Sequence, residues 1–280
     1  MGATMEWDPG FLARSPMFEP LRALGAALAV PEWPTRQVLQ DLLARGEEPV
    51  MTRSGMPLSL VAAGGRKRSF EERYEARIHL RGELVFRDRN WHDLLNVLVW
   101  LTFPRAKAAL NARHFEALEA QRAAGAANRG PAQDALTLFD EGGVIVASRD
   151  EKLLRLLAEW RWKELFWGNR ARLQARMRFL LFGHALYEKA LRPFLGVAGR
   201  GVLLDVEPES LAGLPGGALG EIDSRLAATL SDSRNLTATR DLVVVPILGV
   251  PGWHRDNGRE GFYEDRDYFR PGRVREMREG

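Results

Sequence analysis

The sequence predicts an α+β fold, mainly helical with short, mostly antiparallel strands, in a single globular unit. Apolar residues recur with helical spacing over most of the chain, broken by short runs of strand type. These runs do not alternate strictly with helices, which argues against a doubly wound parallel sheet. Hydrophobic residues make up 45% of the 280 residues, enough for a well-buried core, and no Pro/Gly/Ser-rich linker divides the chain. Residues 1–50 read as a helical N-terminal extension and residues 51–280 as the main α+β domain.

Residues 1–17 read as an irregular lead-in. Phe18, Leu21, Leu24 and Leu28 form one helical stripe over residues 18–30. Thr35 is placed to cap a helix running to Ala44, which Gly46 would stop. Residues 56–62 read as a strand, and residues 64–68 as a loop with the basic cluster Arg66-Lys67-Arg68. Residues 76–80 and 83–87 read as two strands joined at Arg81-Gly82. Residues 90–101 and 105–122 read as helices separated by Phe103-Pro104. Residues 123–131 form a small-residue loop. Residues 135–139 and 144–148 read as a hairpin around Asp140-Glu141-Gly142-Gly143. Asp150 opens a long helical region to Leu191, interrupted at Gly168-Asn169. A strand at 202–206, a helix at 217–230 and a buried-type strand at 242–248 follow. The tail from Gly249 combines turn formers with aromatic residues, the pattern of an ordered strap over a core.

Composition removes several chemistries. With no cysteine there is no disulfide, thiolate metal site, iron–sulfur cluster or cysteine nucleophile. A divalent metal would have to be held by His, Asp or Glu, and the histidines are His79, His92, His114, His184 and His254. The net charge of +3 is compatible with a nucleic-acid or phosphorylated partner without requiring one. The N-terminus lacks a secretory pattern, and the longest apolar run, 94–103, is far short of the ~20 residues of a membrane helix. A cytoplasmic protein without membrane contact is expected. The phosphate-binding glycine loops, the G-x-S-x-G elbow and H-E-x-x-H are all absent from the sequence, so no nucleotide cofactor is indicated.

The most informative stretch runs from Asn90 to His114. Its first helix is apolar nearly all round, the mark of a buried helix, yet His92 and Asn96 share a face at i, i+4. The second helix aligns Lys107, Asn111 and His114. If the Phe103-Pro104 corner folds the two together, His92, Asn96, Asn111 and His114 converge into a candidate catalytic group. Trp91 and Lys107 then lie beside it as substrate contacts. Buried polar groups without partners cost about 1–3 kcal/mol each, so four of them need either a hydrogen-bond network or a use. One reading is a hydrolase, nuclease-like in its His–Asn–His order, with a histidine activating water. The competing reading is a structural network that ties the corner together.

His184 and Glu188 form a second i, i+4 pair, suited to metal ligation or to a carboxylate-oriented base. Gly183 before them suggests close helix packing. Residues 160–178 interleave tryptophans with arginines, including Arg172 and Arg176, as single-stranded nucleic-acid platforms do. An amphipathic helix with core tryptophans explains the same pattern. This face supports an alternative function, a non-catalytic nucleic-acid or protein-interaction module. His254-Arg255-Asp256 has the form of an iron-oxygenase motif, but no later histidine completes it.

Three stretches together resemble a known family: Asn90-Trp91-His92-Asp93 with the segment 100–111, Gly183-His184 to Ala190, and Gly249 to Trp253 with Phe262-Tyr263 and Tyr268 to Pro271. They are similar to a proteobacterial family known only as domain of unknown function 3025. The resemblance covers about Asp88 to Arg273. It implies a single-unit bacterial protein and carries no activity, ligand or catalytic residue.

Overall fold

The computed structural model describes residues 6–45, 49–64, 69–207 and 218–271. The chain enters through two 3-10 turns, Phe11–Ala13 and Pro16–Leu24, and a short helix α1, Gly25–Leu28. Pro20 lies inside the second turn, and its missing N–H is why the helical stripe of this segment does not become one α-helix. Helix α2, Arg36–Ala44, begins as expected at Thr35, whose hydroxyl accepts from the Val38 N–H. Gly46 and the basic cluster 66–68 lie outside the described residues.

Strand β1, Ser59–Ala62, pairs in parallel with β2, Glu83–Phe86, across helix α3, Tyr74–Arg81. Residues 76–80 are therefore helix, not the expected strand. Gly82 is the reason: at φ 68° it caps α3 in the left-handed region, with its N–H on the Arg77 and Ile78 carbonyls, instead of turning a hairpin. Helix α4, Trp91–Thr102, is the buried helix the sequence implies, capped by Asn90. Helix α5, Pro104–Ala123, starts on Pro104, where the absent N–H costs no helical bond.

Helix α6, Pro131–Gly142, replaces the expected hairpin arm at 135–139. Its buried Ala135, Leu136 and Phe139 form a helical stripe that a short window cannot separate from a strand. It leads into β3, Gly143–Ser148, buried at every position. The long helical region breaks up into α7, Glu151–Ala158, a π-helical turn Glu164–Gly168, α8, Arg170–Arg176, strand β4, Met177–Leu181, and α9, His184–Ala190. The break at Gly168-Asn169 stands where the sequence places it. Strand β4 was hidden because a buried apolar run without Gly or Pro flanks reads equally well as helix.

Strand β5, Gly199–Leu204, helix α10, Ala218–Ser231, and strand β6, Val243–Val245, complete the chain order. Pro246 ends β6 early. The main sheet has the order β4-β3-β5-β6, with β3–β4 and β5–β6 antiparallel and β3–β5 parallel. The strands are thus mixed, not all antiparallel, within the mainly helical α+β fold that the sequence predicts. Helices α5 and α10 pack along each other, and α9 packs on both α4 and α6. Phe11, Phe18, Leu21 and Leu39 from the N-terminal segment join the same apolar cluster as β3, β4 and α4.

The tail forms the expected strap. Asn257 is buried, and its Nδ2 donates to the Leu248 and Val250 carbonyls at 2.9 and 2.6 Å. The Tyr263 hydroxyl donates to the Gly249 carbonyl at 2.9 Å. Among the described residues, no helix is long and apolar enough to cross a membrane.

Candidate metal centre

Helices α4, α6 and α9 meet at one point because Gly183 permits it. A Cβ there would lie 2.3 Å from the Gly143 nitrogen and 2.4 Å from the Glu141 carbonyl, so only glycine lets the start of α9 abut the end of α6. The Phe182 and Gly183 N–H groups both donate to the Gly143 carbonyl at 2.9 Å and lock the junction. The next residue, His184, is thereby set against Asp140 and Glu141. Asn90 caps α4 through the Asp93 N–H, and Asp93 holds Arg87, so His92 starts its helix on a fixed frame.

The two histidines face each other through their Nε2 atoms, 3.1 Å apart. Glu141 Oε2 lies 3.5 Å from His184 Nε2, and ligand atoms of His92, Glu141 and His184 all fall within 4.8 Å of one another. Behind His92, its Nδ1 sits 3.1 Å from Glu188 Oε2. Behind His184, Asp140 Oδ2 is 3.8 Å from Nδ1. His184 is buried, whereas the side chains of His92 and Glu141 are 33% and 43% exposed, so the point of convergence is open to water on one side.

Burial and neighbouring charges shift the titration of each group. The hydrogen bond to Glu188 raises the His92 pKa against the opposing effect of burial, and the same bond lowers that of Glu188. Burial pushes His184 down to about 4 despite the pull of Asp140. Burial, helped by Asp140, raises Glu141. One Nε2 donates to the other across the pair, and His92 Nδ1 bonds to Glu188. Neutral imidazole carries one N–H, so the tautomer decides which nitrogen keeps a lone pair. His184 Nε2 faces the place where His92 and Glu141 converge.

That place fits a divalent transition ion. At the usual 2.0–2.1 Å zinc–nitrogen distance, two nitrogens 3.1 Å apart subtend about 100° at the ion, close to tetrahedral. The donor set, two imidazoles and a carboxylate with a carboxylate behind each histidine, is that of sites which keep one coordination position open.

The four residues 92, 96, 111 and 114 are divided by the structure. Asn96 Nδ2 donates to the Tyr74 hydroxyl at 2.7 Å, and Asn111 Nδ2 donates to the Glu75 carboxylate at 2.7 Å. Asn111 and His114 line a small pocket of about 10 Å³, room for one water, together with Tyr74, Glu75, Lys107 and Asp140. Asn111 Oδ1 and His114 Nε2 are buried there without a protein partner. His92 instead joins His184 and Glu188. Asp140 stands between the two groups, with Oδ1 accepting from Lys107 Nζ at 2.5 Å and Oδ2 turned toward His184. Burial raises the Asp140 pKa, but Lys107, His184 and His114 outweigh it and hold it at about 2.

A family model described as a protein of unknown function (DUF3025) matches residues 58–273. The chain belongs to the DUF3025 family. The matched span contains every residue of the centre and of the cavity behind it. Neither the curated proteins nor the solved structures hold a match to this DUF3025 chain.

Trp91 is buried among Trp7, Phe11 and Trp33, and Lys107 is buried against Asp140 and Trp100. Arg172 pairs with Asp150, and no described contact joins it or the exposed Arg176 to the histidine centre. In the stretch 160–178, Trp162 and Phe166 are buried, and Trp160 and Trp167 pack against the core, so the ring faces of this DUF3025 member are largely spent on packing. Sequence reading passed over Asp140 and Glu141, because the acids beside Gly142-Gly143 read as a hairpin turn. Their position in the last turn of α6, one helix stripe on from Leu136, was the signal available.

Proposed function

We propose that this chain is a metal-dependent hydrolase whose ion is held by His92, Glu141 and His184. The reading is carried by one observation: two Nε2 atoms and a carboxylate oxygen converge at a half-exposed point, with a further carboxylate behind each imidazole. A bound divalent ion supplies Lewis acidity, polarising a substrate oxygen and lowering the pKa of a water. The protein's own part is to orient the ligands. Glu188 fixes His92 by accepting from Nδ1, and Gly183 fixes the position of His184. Of the pair His184 and Glu188 singled out in the sequence, this reading makes His184 a ligand and Glu188 the support of another.

The test uses untagged protein. Elemental analysis and zinc titration should give one equivalent of bound metal. Hydrolysis of p-nitrophenyl acetate, p-nitrophenyl phosphate and a single-stranded oligonucleotide should be lost on chelation and restored by metal. The substrate that responds assigns carboxyl ester, phosphomonoester or nucleic acid. His92→Ala should abolish binding and turnover and leave the melting temperature of the metal-free protein near wild type. Protein that binds no metal, or turnover that survives chelation, overturns the proposal.

A further inference from the structure

Neutral histidine offers a metal only one of its two nitrogens, and the surroundings of the other decide which. For His184 the choice is between two tautomers with very different fits. With the proton on Nδ1, the N–H faces the Asp140 carboxylate and Nε2 presents its lone pair to His92 and Glu141. With the proton on Nε2, that lone pair is gone and the Nδ1 lone pair faces a carboxylate in a buried site. Nδ1 has no hydrogen-bond partner at present, and Asp140 Oδ2 lies 3.8 Å from it.

Asp140 is unusually well fixed for this task. Its other oxygen is held by Lys107 at 2.5 Å, and their side chains are only 12% and 5% exposed. Lys107 is itself anchored over the Trp100 ring, with Nζ 5.5 Å from its centroid. The backbone of His184 is set by the Gly183 junction, and its ring packs edge-on against His92 with centroids 4.5 Å apart. Neither ring flip nor carboxylate rotation is free, so the relation between Asp140 and Nδ1 is built into three helices at once.

We propose that Asp140, pinned by Lys107, is the positioning residue of the centre, holding His184 as the Nδ1–H tautomer so that Nε2 faces the ion. The proposal rests on the metal reading above for its functional meaning. Asp140 touches neither ion nor substrate in this account. It acts through His184, and binding of a cation at Nε2 polarises the Nδ1–H and tightens its bond to Asp140. Removal of such a supporting carboxylate typically weakens metal binding about 10- to 100-fold.

The experiment compares wild type with Lys107→Met/Asp140→Leu, which removes both buried charges at similar volume and takes the carboxylate away from Nδ1 while leaving the Asp140 main-chain carbonyl. Zinc affinity is measured by competition with a chromophoric chelator. Long-range ¹H–¹⁵N spectra of histidine-labelled, metal-free protein report the tautomer of His184. The expected result is an Nδ1–H signature in wild type that is lost or mixed in the double variant, with zinc binding weakened about 10- to 100-fold. Wild-type affinity and an unchanged tautomer in a folded double variant overturn the proposal. Should the double variant not fold, Asp140→Glu, which keeps the charge but displaces the oxygen, carries the same two readouts. Absence of zinc binding in wild type would sink the metal reading alone, and the tautomer spectra would still decide the role of Asp140.

Discussion

Replacing Lys107 by Met leaves the Asp140 carboxylate in the interior with its principal counter-charge gone. The Lys107 and Asp140 side chains are 5% and 12% exposed, so bulk water is largely kept from the carboxylate. Two routes give the size of the effect. Breaking a buried pair by removing one partner costs about 3–5 kcal/mol. Asp140 is held at about 2 against an ordinary 3.8, which at about 1.4 kcal/mol per unit is on the order of 2 kcal/mol of stability at neutral pH. The two agree on a loss of about 2–5 kcal/mol. Sign follows from the lowered pKa: this contribution is present above pH 3.8 and is lost as the pH falls toward about 2. Urea unfolding of metal-free protein at pH 7 measures the loss. Lys107→Met/Asp140→Leu should recover more than half of it, because an apolar replacement leaves no charge stranded. A single-variant loss under about 1 kcal/mol, with the double variant additive, would refute the claim that Asp140 is ionised and desolvated.

His184, pushed down to about 4, stays neutral while the unfolded chain gains a proton below 6.5, so stability should fall by up to about 3 kcal/mol between pH 6.5 and 4. His92 is raised and works the other way, losing its contribution as the pH rises above 6.5, so comparing wild type with His184→Gln in pH-dependent melts isolates the first effect. Zinc competes with protons for the His92 and His184 nitrogens, so its affinity, measured by titration, should fall about tenfold per pH unit in acid, and a pH-independent affinity would contradict imidazole ligation. Gly183→Ala drives a Cβ to 2.3 Å from the Gly143 nitrogen, so it should cost roughly 1–3 kcal/mol or more and weaken zinc binding, seen in thermal melts and titration. Wild-type behaviour there would mean that α6 and α9 are not held in contact.

What the sequence made legible was local. The Thr35 and Asn90 caps, the Pro104 helix start and the buried character of α4 are each written in a few adjacent residues. The apolar runs at 76–80, 135–139 and 177–181 were not, since whether such a run becomes helix or strand depends on partners far along the chain. Gly82 shows the point: the same residue that would turn a hairpin caps a helix once Arg77 and Ile78 supply their carbonyls. The site followed the same division. His92, and the pair His184 and Glu188, stood out as polar residues at helical spacing, but their meeting across 96 positions is a property of the packing of α4 on α9. Glu141 and Asp140 carried only the appearance of a turn.

The ligand atoms come from α4, α6 and α9, and none of these helices is adjacent to another in the chain order except through intervening elements. Bringing segments this far apart together carries a loop-closure entropy cost that local helices do not. A chain that has made its helices but not yet docked α9 onto α4 and α6 has no place for the ion. If the centre binds an ion as proposed, metal added during refolding would report when these three helices have docked, a readout distinct from that of helix formation.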